Sequence, residues 1–352
     1  MKINKNQQVM KKLIFAALAI AAMAACTKSN VQLEQPGEIS FQPVSQKATK
    51  AAVIGTNYPT GAAYNFKVWA WWADMPKETT SASTFTTVYI DNQEFSYRSS
   101  NNWGGKQNPY YWPTTGSLFF AGYSPADAPG DKVYLHQDKK FIVTDYDQSS
   151  DIASTKDFMW FHLTDVSYDR TTDAVPVKFH HALSWLTFRV NLTSEATPKL
   201  WTVKSITLKG IETKANFTAE RSGSADAHGT TSWTAHSLPE DITVFTGSYN
   251  VKYVNTPYVA GADDDSVLEN TPNGVLVIPQ ECTSGKAELV IEFDQIAPSG
   301  NPVSQKKTLS LGTEWHPSEH YVYTITFGAE EILISPTILD WTVVDDLTVP
   351  VE

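Results

Sequence analysis

Two features of the sequence contain residue types that bind metals. His180 and His181 are adjacent, and an acidic triplet occupies residues 263–265. Neighbouring residues of a strand face opposite sides, so the two imidazoles cannot bind one ion without a kink. The triplet lacks the alternating carboxylates and the glycine turn of a calcium loop. We therefore expect no metal and no cofactor, with His181 as a core or bend residue and the triplet in a solvated loop.

Cys26 is a candidate for covalent modification. A basic segment at residues 10–12 precedes the apolar run Leu13–Ala25, which ends in small residues directly before Cys26. The run is too short for a stable transmembrane helix, and this arrangement is typical of a lipoprotein signal peptide. The sequence predicts that residues 1–25 are removed and that the Cys26 thiol carries lipid. An ordinary secretory peptide with a chance cysteine is the alternative.

The tryptophans suggest a second kind of chemistry. Exposed indole rings can stack on sugars, and the chain has 11 tryptophans. Trp103 and Trp112 lie among Asn, Gly and Pro residues, a context typical of loops. A monomeric surface lipoprotein that binds glycans through these two rings is therefore an open interpretation. The sequence contains no nucleophile elbow, paired-carboxylate motif or phosphate loop, and it does not predict an enzyme.

Composition indicates the fold class. The formal net charge is −11 without a basic stripe, which argues against nucleic acid as a partner. If Cys26 is acylated, Cys282 has no partner for a disulfide, and we expect it to be buried. Charged residues make up only 18% and aromatic residues 12% of the chain. Short alternating runs separated by turn residues, without a long amphipathic helix, predict an all-β protein.

The runs divide the chain into five segments. Each of the two long segments has about seven candidate strands, as expected for a β-sandwich, and Greek-key connections are plausible. Within the first, Asp91-Asn92 predicts a hairpin turn. The predicted segments are a signal peptide (1–25), a lipid tether with a removable N-terminal strand (26–50), an N-terminal β-sandwich (51–173), a C-terminal β-sandwich (174–328) and a C-terminal donor-strand tail (329–352).

The segment Val175–Leu192 marks the passage from one sandwich to the next. Its apolar residues occupy odd positions up to Leu183 and even positions from Leu186. One unbroken strand cannot bury both sets in one core, because side chains alternate between the faces. The change of parity predicts a bend, bulge or turn around His181–Trp185.

Both ends of the predicted mature chain have strand patterns. Ile39 and Phe41 share a face of a short N-terminal strand, and a small, basic linker with Lys50 and Ala51 follows as a candidate protease site. The tail beyond residue 329 also alternates, with Leu339, Trp341 and Val343 on one face. Such a strand is unstable alone and needs a groove, either in its own domain or in a neighbouring molecule.

These patterns, in this order, resemble the Bacteroidetes fimbrillin (FimA/Mfa-like) family, the type V pilins. The similarity extends over the predicted mature chain. The motifs that carry it are Phe179-x-His181-Ala182-Leu183-Ser184, Leu186-Thr187-Phe188-Arg189-Val190, Asn273-Gly274-Val275-Leu276-Val277-Ile278-Pro279-Gln280, Trp315-x-Pro317-x-x-x-Tyr321-x-Tyr323-x-Ile325-x-Phe327 and Ile338-x-x-Trp341.

The resemblance implies two tandem transthyretin-like β-sandwiches and a lipoprotein precursor at the outer membrane. A trypsin-like protease would cleave after Lys50, or alternatively Lys47, and remove the strand with its plugs Ile39 and Phe41. The tail of another subunit, anchored by Leu339, Trp341 and Val343, would fill the groove and build a fimbria. Family members often have Arg where this chain has Lys50.

The family assignment also suggests partners and a further modification. The partners would be other fimbrial subunits, the outer membrane before processing, and a surface receptor that the sequence does not identify. A shaft or tip-proximal position is favoured over a terminal anchor by the complete tail. Asp265-Ser266-Val267 resembles the O-glycosylation acceptor of Bacteroidetes, which makes Ser266 a candidate site.

Overall fold

The computed structural model describes residues 37–44, 58–74, 85–100, 102–135, 140–148, 154–166, 174–220, 230–254, 274–283 and 285–341. No helix among these residues is long and apolar enough to cross a membrane. Two short 3₁₀ turns occupy Ala62–Tyr64 and Ser194–Ala196. The strands are β1 (Ser40–Val44), β2 (Phe66–Ala73), β3 (Thr87–Ser99), β4 (Asn102–Gly105), β5 (Ser117–Ser124), β6 (Asp131–Leu135), β7 (Lys140–Asp147), β8 (Met159–Val166), β9 (Val175–Lys178), β10 (His180–His181), β11 (Ser184–Leu192), β12 (Leu200–Glu220), β13 (Thr231–Asn250), β14 (Val275–Val277), β15 (Glu288–Ile296), β16 (Val303–Ser310), β17 (Glu319–Phe327) and β18 (Ile332–Asp340).

The predicted all-β fold class is confirmed. Eight strands form the first sheet, in the order β10-β8-β5-β2-β3-β4-β1-β9. In a flat sheet, β1 and β8 would lie roughly 24 Å apart, because neighbouring strands are about 4.8 Å apart. The ring centroids of Phe41 on β1 and Phe161 on β8 are nevertheless only 6.3 Å apart. The sheet therefore curls over and encloses a first core between its own strands.

Central strands of this sheet are buried on both faces. On β2, Phe66 and Val68 belong to the first core, while Trp69 and Trp71 belong to a second core that also includes Phe217 of β12. Strands buried on both sides are expected to be almost continuously apolar. This explains the sequence FKVWAWWA of β2 and LFFAGY of β5.

Two further sheets enclose a third core. The order is β14-β11-β17-β18 in one and β16-β15-β12-β7-β6 in the other, with β13 paired to β12. Strand β12 pairs with β15 through Leu200–Lys209 and with β7 through Lys214–Glu220. Strand β12 is therefore shared. Its first part pairs with a strand from the C-terminal half of the chain, and its last part pairs with a strand from the N-terminal half.

These pairings cross the predicted boundary between residues 173 and 174. Strand β9 pairs with β1, β10 pairs with β8, and β12 pairs with β7. The second core likewise includes Trp69 from one side of the boundary and Trp341 from the other. The division into two sandwich domains therefore stays a prediction about folding units.

The bend predicted from the change of parity is confirmed. The chain breaks after β10, and Ala182-Leu183 separates it from β11. The hairpin predicted at Asp91-Asn92 is wrong, because β3 continues through both residues. Asn92 has a φ of +48°, and the register against β2 shifts after the pair of Gln93 and Val68. A bulge thus absorbs the left-handed residue without reversing the chain.

Candidate functional site

The N-terminal strand β1 is held in a slot that we name the β1 groove: the space between β4 and β9, with a floor of Phe66, Phe95, Phe120 and Phe161. On one side β1 pairs antiparallel with β4, placing Phe41 opposite Trp103. On the other it pairs parallel with β9 from Phe41 to Val44. Both of its backbone edges are therefore used. Taking β1 away would leave the edges of β4 and β9 unpaired, a template for another strand.

Phe41 is the central plug of the β1 groove. Its side chain is fully buried, and its ring meets those of Phe95, Phe120 and Phe66 edge-on, with centroids 5.0, 5.2 and 5.9 Å apart. Ile39 is also fully buried. Each of these side chains contributes roughly 1.5–3 kcal/mol by leaving water. The structure thus places both predicted plugs together in the first core.

Tyr58 closes one wall of the β1 groove. Its ring stacks on Phe179 at 5.2 Å and meets Trp103 edge-on at 5.4 Å. Its hydroxyl donates to the Tyr64 carbonyl oxygen at 2.9 Å and is also bonded to the Ser124 hydroxyl. Burial raises the pKa of Tyr58 far above its usual value, so the phenol stays neutral. No sequence pattern indicated this wall, because Tyr58 lies outside every alternating run.

The glycan-stacking role of Trp103 and Trp112 requires correction. The exposed fraction is 0% for Trp103 and 7% for Trp112, and both rings belong to the first core. Trp103 lies on β4, covered by β1 and Tyr58, and Trp112 packs against Phe120 at 5.9 Å. Neither ring offers a free face to a sugar in this arrangement. The surrounding Asn, Gly and Pro residues are typical of loops, but long-range pairing buries the rings.

The C-terminal strand lies in the fold of its own chain. All nine residues of β18 pair antiparallel with β17, and Ile332 is buried in the third core. Trp341 is buried, and its backbone N–H donates to the Ser318 carbonyl oxygen at 3.0 Å. Leu339 lies opposite His320 and is half-buried. The expectation that the whole tail from residue 330 acts on another molecule therefore does not fit this arrangement.

The imidazole ring of His181 packs against the indole ring of Trp341. The two rings stack with centroids 3.7 Å apart at 15°. His181 Nδ1 lies 3.0 Å from Asp157 Oδ1, and both residues are buried. The prediction that His181 is a core residue at a bend is confirmed. Its partner is a carboxylate 24 positions away, which no local pattern indicated.

Several predicted site residues lie outside the described residues: Cys26, Lys50, Ala51, Ser266 and Val343. Cys282 is described and buried, as expected, and burial raises the pKa of its thiol well above the usual range. Among the described residues, no group of three or more His, Cys, Asp or Glu side chains is arranged to hold a metal ion.

Comparison with protein families identifies relatives of this fold. A family model described as fimbrillin-like matches residues 49–341. The chain belongs to the fimbrillin-like family. The resemblance that the sequence motifs indicated is thereby confirmed, and the match includes β2 to β18 and Trp341 of this fimbrillin-like chain.

The solved structure of a fimbrial protein agrees on the fold. The fimbrillin-like chain is 15% identical to a fimbrial protein from Bacteroides vulgatus, with a TM-score of 0.56 over 87% of this chain and 99% of the other. The fimbrial anchor protein Mfa2 of Porphyromonas gingivalis is 9% identical, with a TM-score of 0.34 over 88% and 99%. The tip fimbrial protein Mfa3 of the same species, truncated at its C-terminus, is 9% identical, with a TM-score of 0.34 over 86% and 100%. Comparison with curated proteins finds no match.

Proposed function

We propose that this chain is a structural subunit, in the shaft or near the tip, of a cell-surface fimbria that serves adhesion. The subunits are joined by proteolysis-triggered strand exchange. The β1 groove is the observation that carries the proposal: a short N-terminal strand fills a slot that is paired on both edges and lined by aromatic rings. Membership in the fimbrillin-like family supports the same function.

Removal of β1 supplies the acceptor. Cleavage between Lys50 and Ala51 would separate β1 from β2 and all later strands. Loss of Ile39 and Phe41 would leave a long apolar slot and two unpaired strand edges in water. Such a surface associates with any matching strand, because the ladder hydrogen bonds and the pockets are already in place.

The donor is the part of the tail beyond Trp341. Leu339 and Trp341 already pack on their own chain, and Val343, the third predicted anchor, lies outside the described residues. Further along the same parity, Leu347, Val349 and Val351 alternate with polar residues or proline, as Ile39, Phe41 and Pro43 do on β1. We assign residues 342–352 as the donor and Leu347, Val349 and Val351 as its main plugs.

The precursor reaches the outer membrane as a lipoprotein. In this proposal Cys26 carries the lipid, the outer membrane is the partner before processing, and other fimbrial subunits are the partners afterwards. Ser266 is a candidate for O-glycosylation on the assembled fibre. Replacing Cys26 with Ala should abolish labelling by a clickable palmitate analogue and release the protein from membranes. A Cys282→Ala variant that loses the label instead would contradict the assignment.

A polymerisation assay tests strand exchange. The chain from Thr27 is treated with limited trypsin, and unboiled samples are separated on SDS gels. We expect a ladder that disappears in the double variant Lys47→Gln/Lys50→Gln and in a chain lacking residues 342–352, because trypsin can release β1 after either lysine. The ladder should persist in the single variant Lys47→Gln, which is the matched control. A chain that stays monomeric under every condition would refute the proposal. A ladder that survives deletion of residues 342–352 would refute the donor assignment.

A further inference from the structure

A cleft of about 750 Å³ opens between two rims of the chain. One rim comes from β12 and β13 and includes Glu212, Trp233 and His236. The other comes from the segments around Gln280 and Glu314, which follow β14 and β16. The volume is within the range of small-molecule sites. None of these residues takes part in the strand exchange proposed above.

The floor of the cleft is fixed by hydrogen bonds. Gln280 is buried, its Oε1 accepts from the Glu212 N–H at 3.0 Å, and its Nε2 donates to the Glu212 carbonyl oxygen at 3.2 Å. The Trp315 N–H donates to the Gln280 carbonyl oxygen at 2.9 Å. Gln280 therefore links the two rims. Its side-chain amide bonds to Glu212 on one rim, and its backbone carbonyl oxygen accepts from Trp315 on the other. A site whose walls are already held in place costs less to order when a ligand binds.

The upper walls keep unused hydrogen-bonding capacity. The Glu314 carboxylate and the His316 imidazole are exposed, and neither has a side-chain partner in the described part of the chain. The hydroxyls of Thr231 and Ser232 are likewise without a partner there. Together these groups provide acceptors on the carboxylate and both donors and acceptors on the imidazole and hydroxyls.

The cleft has an excess of negative charge, since its lining holds three carboxylates and one lysine. Glu281 is paired with Lys286, and Glu212 lies near His236, with its Oε2 3.5 Å from Nδ1. Glu314 has no ion-pair partner in the described part of the chain. Apolar surface comes from three proline rings and from Trp233, whose indole is half-buried against Phe217. The cleft thus combines mixed polar groups, an excess of carboxylates and small apolar platforms.

We propose that this cleft binds a neutral oligosaccharide of a few sugar units. Sugar hydroxyls both donate and accept, which matches the free groups of Glu314, His316 and Ser232, and the C–H faces of pyranose rings fit against proline and indole surface. An anionic sugar would be repelled by Glu314. The site places glycan recognition on this cleft and not on Trp103 or Trp112.

A glycan array followed by titration calorimetry tests the proposal. The chain from Thr27 is applied to an array of neutral and sialylated glycans, and the strongest neutral binder is titrated. We expect neutral glycans to bind in preference to sialylated ones, and Glu314→Gln and His316→Ala each to weaken binding about tenfold or more. Glu331→Gln, an exposed carboxylate outside the cleft, is the matched control and should leave binding unchanged.

The contrary results are equally distinct. The proposal is overturned if no neutral glycan on the array binds, or if the calorimetric affinity is the same in Glu314→Gln as in the unmodified chain. Pentalysine is titrated in parallel, and binding of this peptide that depends on Glu314 while glycans do not bind would assign the cleft to a basic partner. Circular dichroism of each variant separates loss of the site from loss of the fold.

Discussion

Replacing Phe41 with Ala should destabilise the packing of β1 in its groove more than any other single substitution in that strand. Phe41 is fully buried and contacts rings on β2, β3, β5 and β8. These rings are fixed on four different strands, so they cannot close the cavity that the missing ring leaves. Buried Phe→Ala changes cost about 3–5 kcal/mol. That is a large share of the 5–15 kcal/mol by which folded proteins are typically stable.

Urea denaturation followed by tryptophan fluorescence measures this loss. Gln42→Ala is the matched control, because Gln42 lies on the same strand but is exposed, and its effect should stay within about 0.5 kcal/mol. Equal shifts in the two variants would show that β1 does not fill its groove in solution. Limited proteolysis provides a second readout, since a loosened β1 should speed cleavage of the linker that contains Lys50.

The same variant also separates stability from assembly. In the proposed polymer β1 has left, and its place is taken by the tail of another subunit. The penalty of Phe41→Ala should therefore be present in the uncleaved chain and absent from the trypsin-assembled ladder. If the assembled form remains destabilised by the same amount, Phe41 has not been replaced, and strand exchange is refuted.

Three further predictions concern buried groups outside the groove. Trp341→Ala should lower the free energy of unfolding by about 3–5 kcal/mol in urea denaturation, because it removes the ring that stacks on His181. Leu339→Ala should lower it by less, because Leu339 is only half-buried. The reverse order would contradict the observed packing. Burial lowers the pKa of His320 to about 3 from 6.5, so below about pH 6.5 the unfolded chain binds a proton that the folded chain does not. The free energy of unfolding should fall as the pH drops from about 6.5 towards 3, by up to about 1.4 kcal/mol per pH unit. In His320→Gln the urea midpoint should depend less on pH over this range. A variant whose midpoint changes with pH as steeply as that of the unmodified chain would refute this account. Cys282 is buried with a raised thiol pKa, so in the chain from Thr27, which lacks Cys26, Ellman's reagent should react at pH 8 only after unfolding. Rapid reaction in this folded chain would be inconsistent with the position of Cys282.

The alternation of apolar residues predicted the structure correctly where a strand buries one of its two faces. The change of parity between Val175 and Leu192 predicted the break between β10 and β11, because side-chain direction along a strand has a fixed period. Gly274 has both a local and a long-range cause. Its φ is +70°, a local constraint that favours glycine. A Cβ there would also lie 2.2 Å from the Leu186 carbonyl oxygen, a contact with a distant part of the chain that no short stretch of sequence shows.

Long-range pairing was beyond the reach of these patterns. Nothing near Trp103 indicates that β1 will cover it, since the two meet across 62 positions of chain. The contact between Asp157 and His181 and the cleft around Gln280 likewise depend on which strands become neighbours. The donor tail was misplaced in part for the same reason: β18 alternates like a free donor strand, but β17 offers it an edge in its own chain. The alternation of apolar residues shows that a strand needs a pairing partner, but it does not identify that partner.

The shared strand β12 has a mechanical consequence. It is 21 residues long and so spans roughly 70 Å. Its first half is bonded to β15 and its second half to β7, with β13 alongside both. A tensile load applied between β7 and β15 is carried along β12 itself, because each of them is bonded to this one strand. Many ladder hydrogen bonds then resist the load together, so separating β7 from β15 along the strand direction should need a high force.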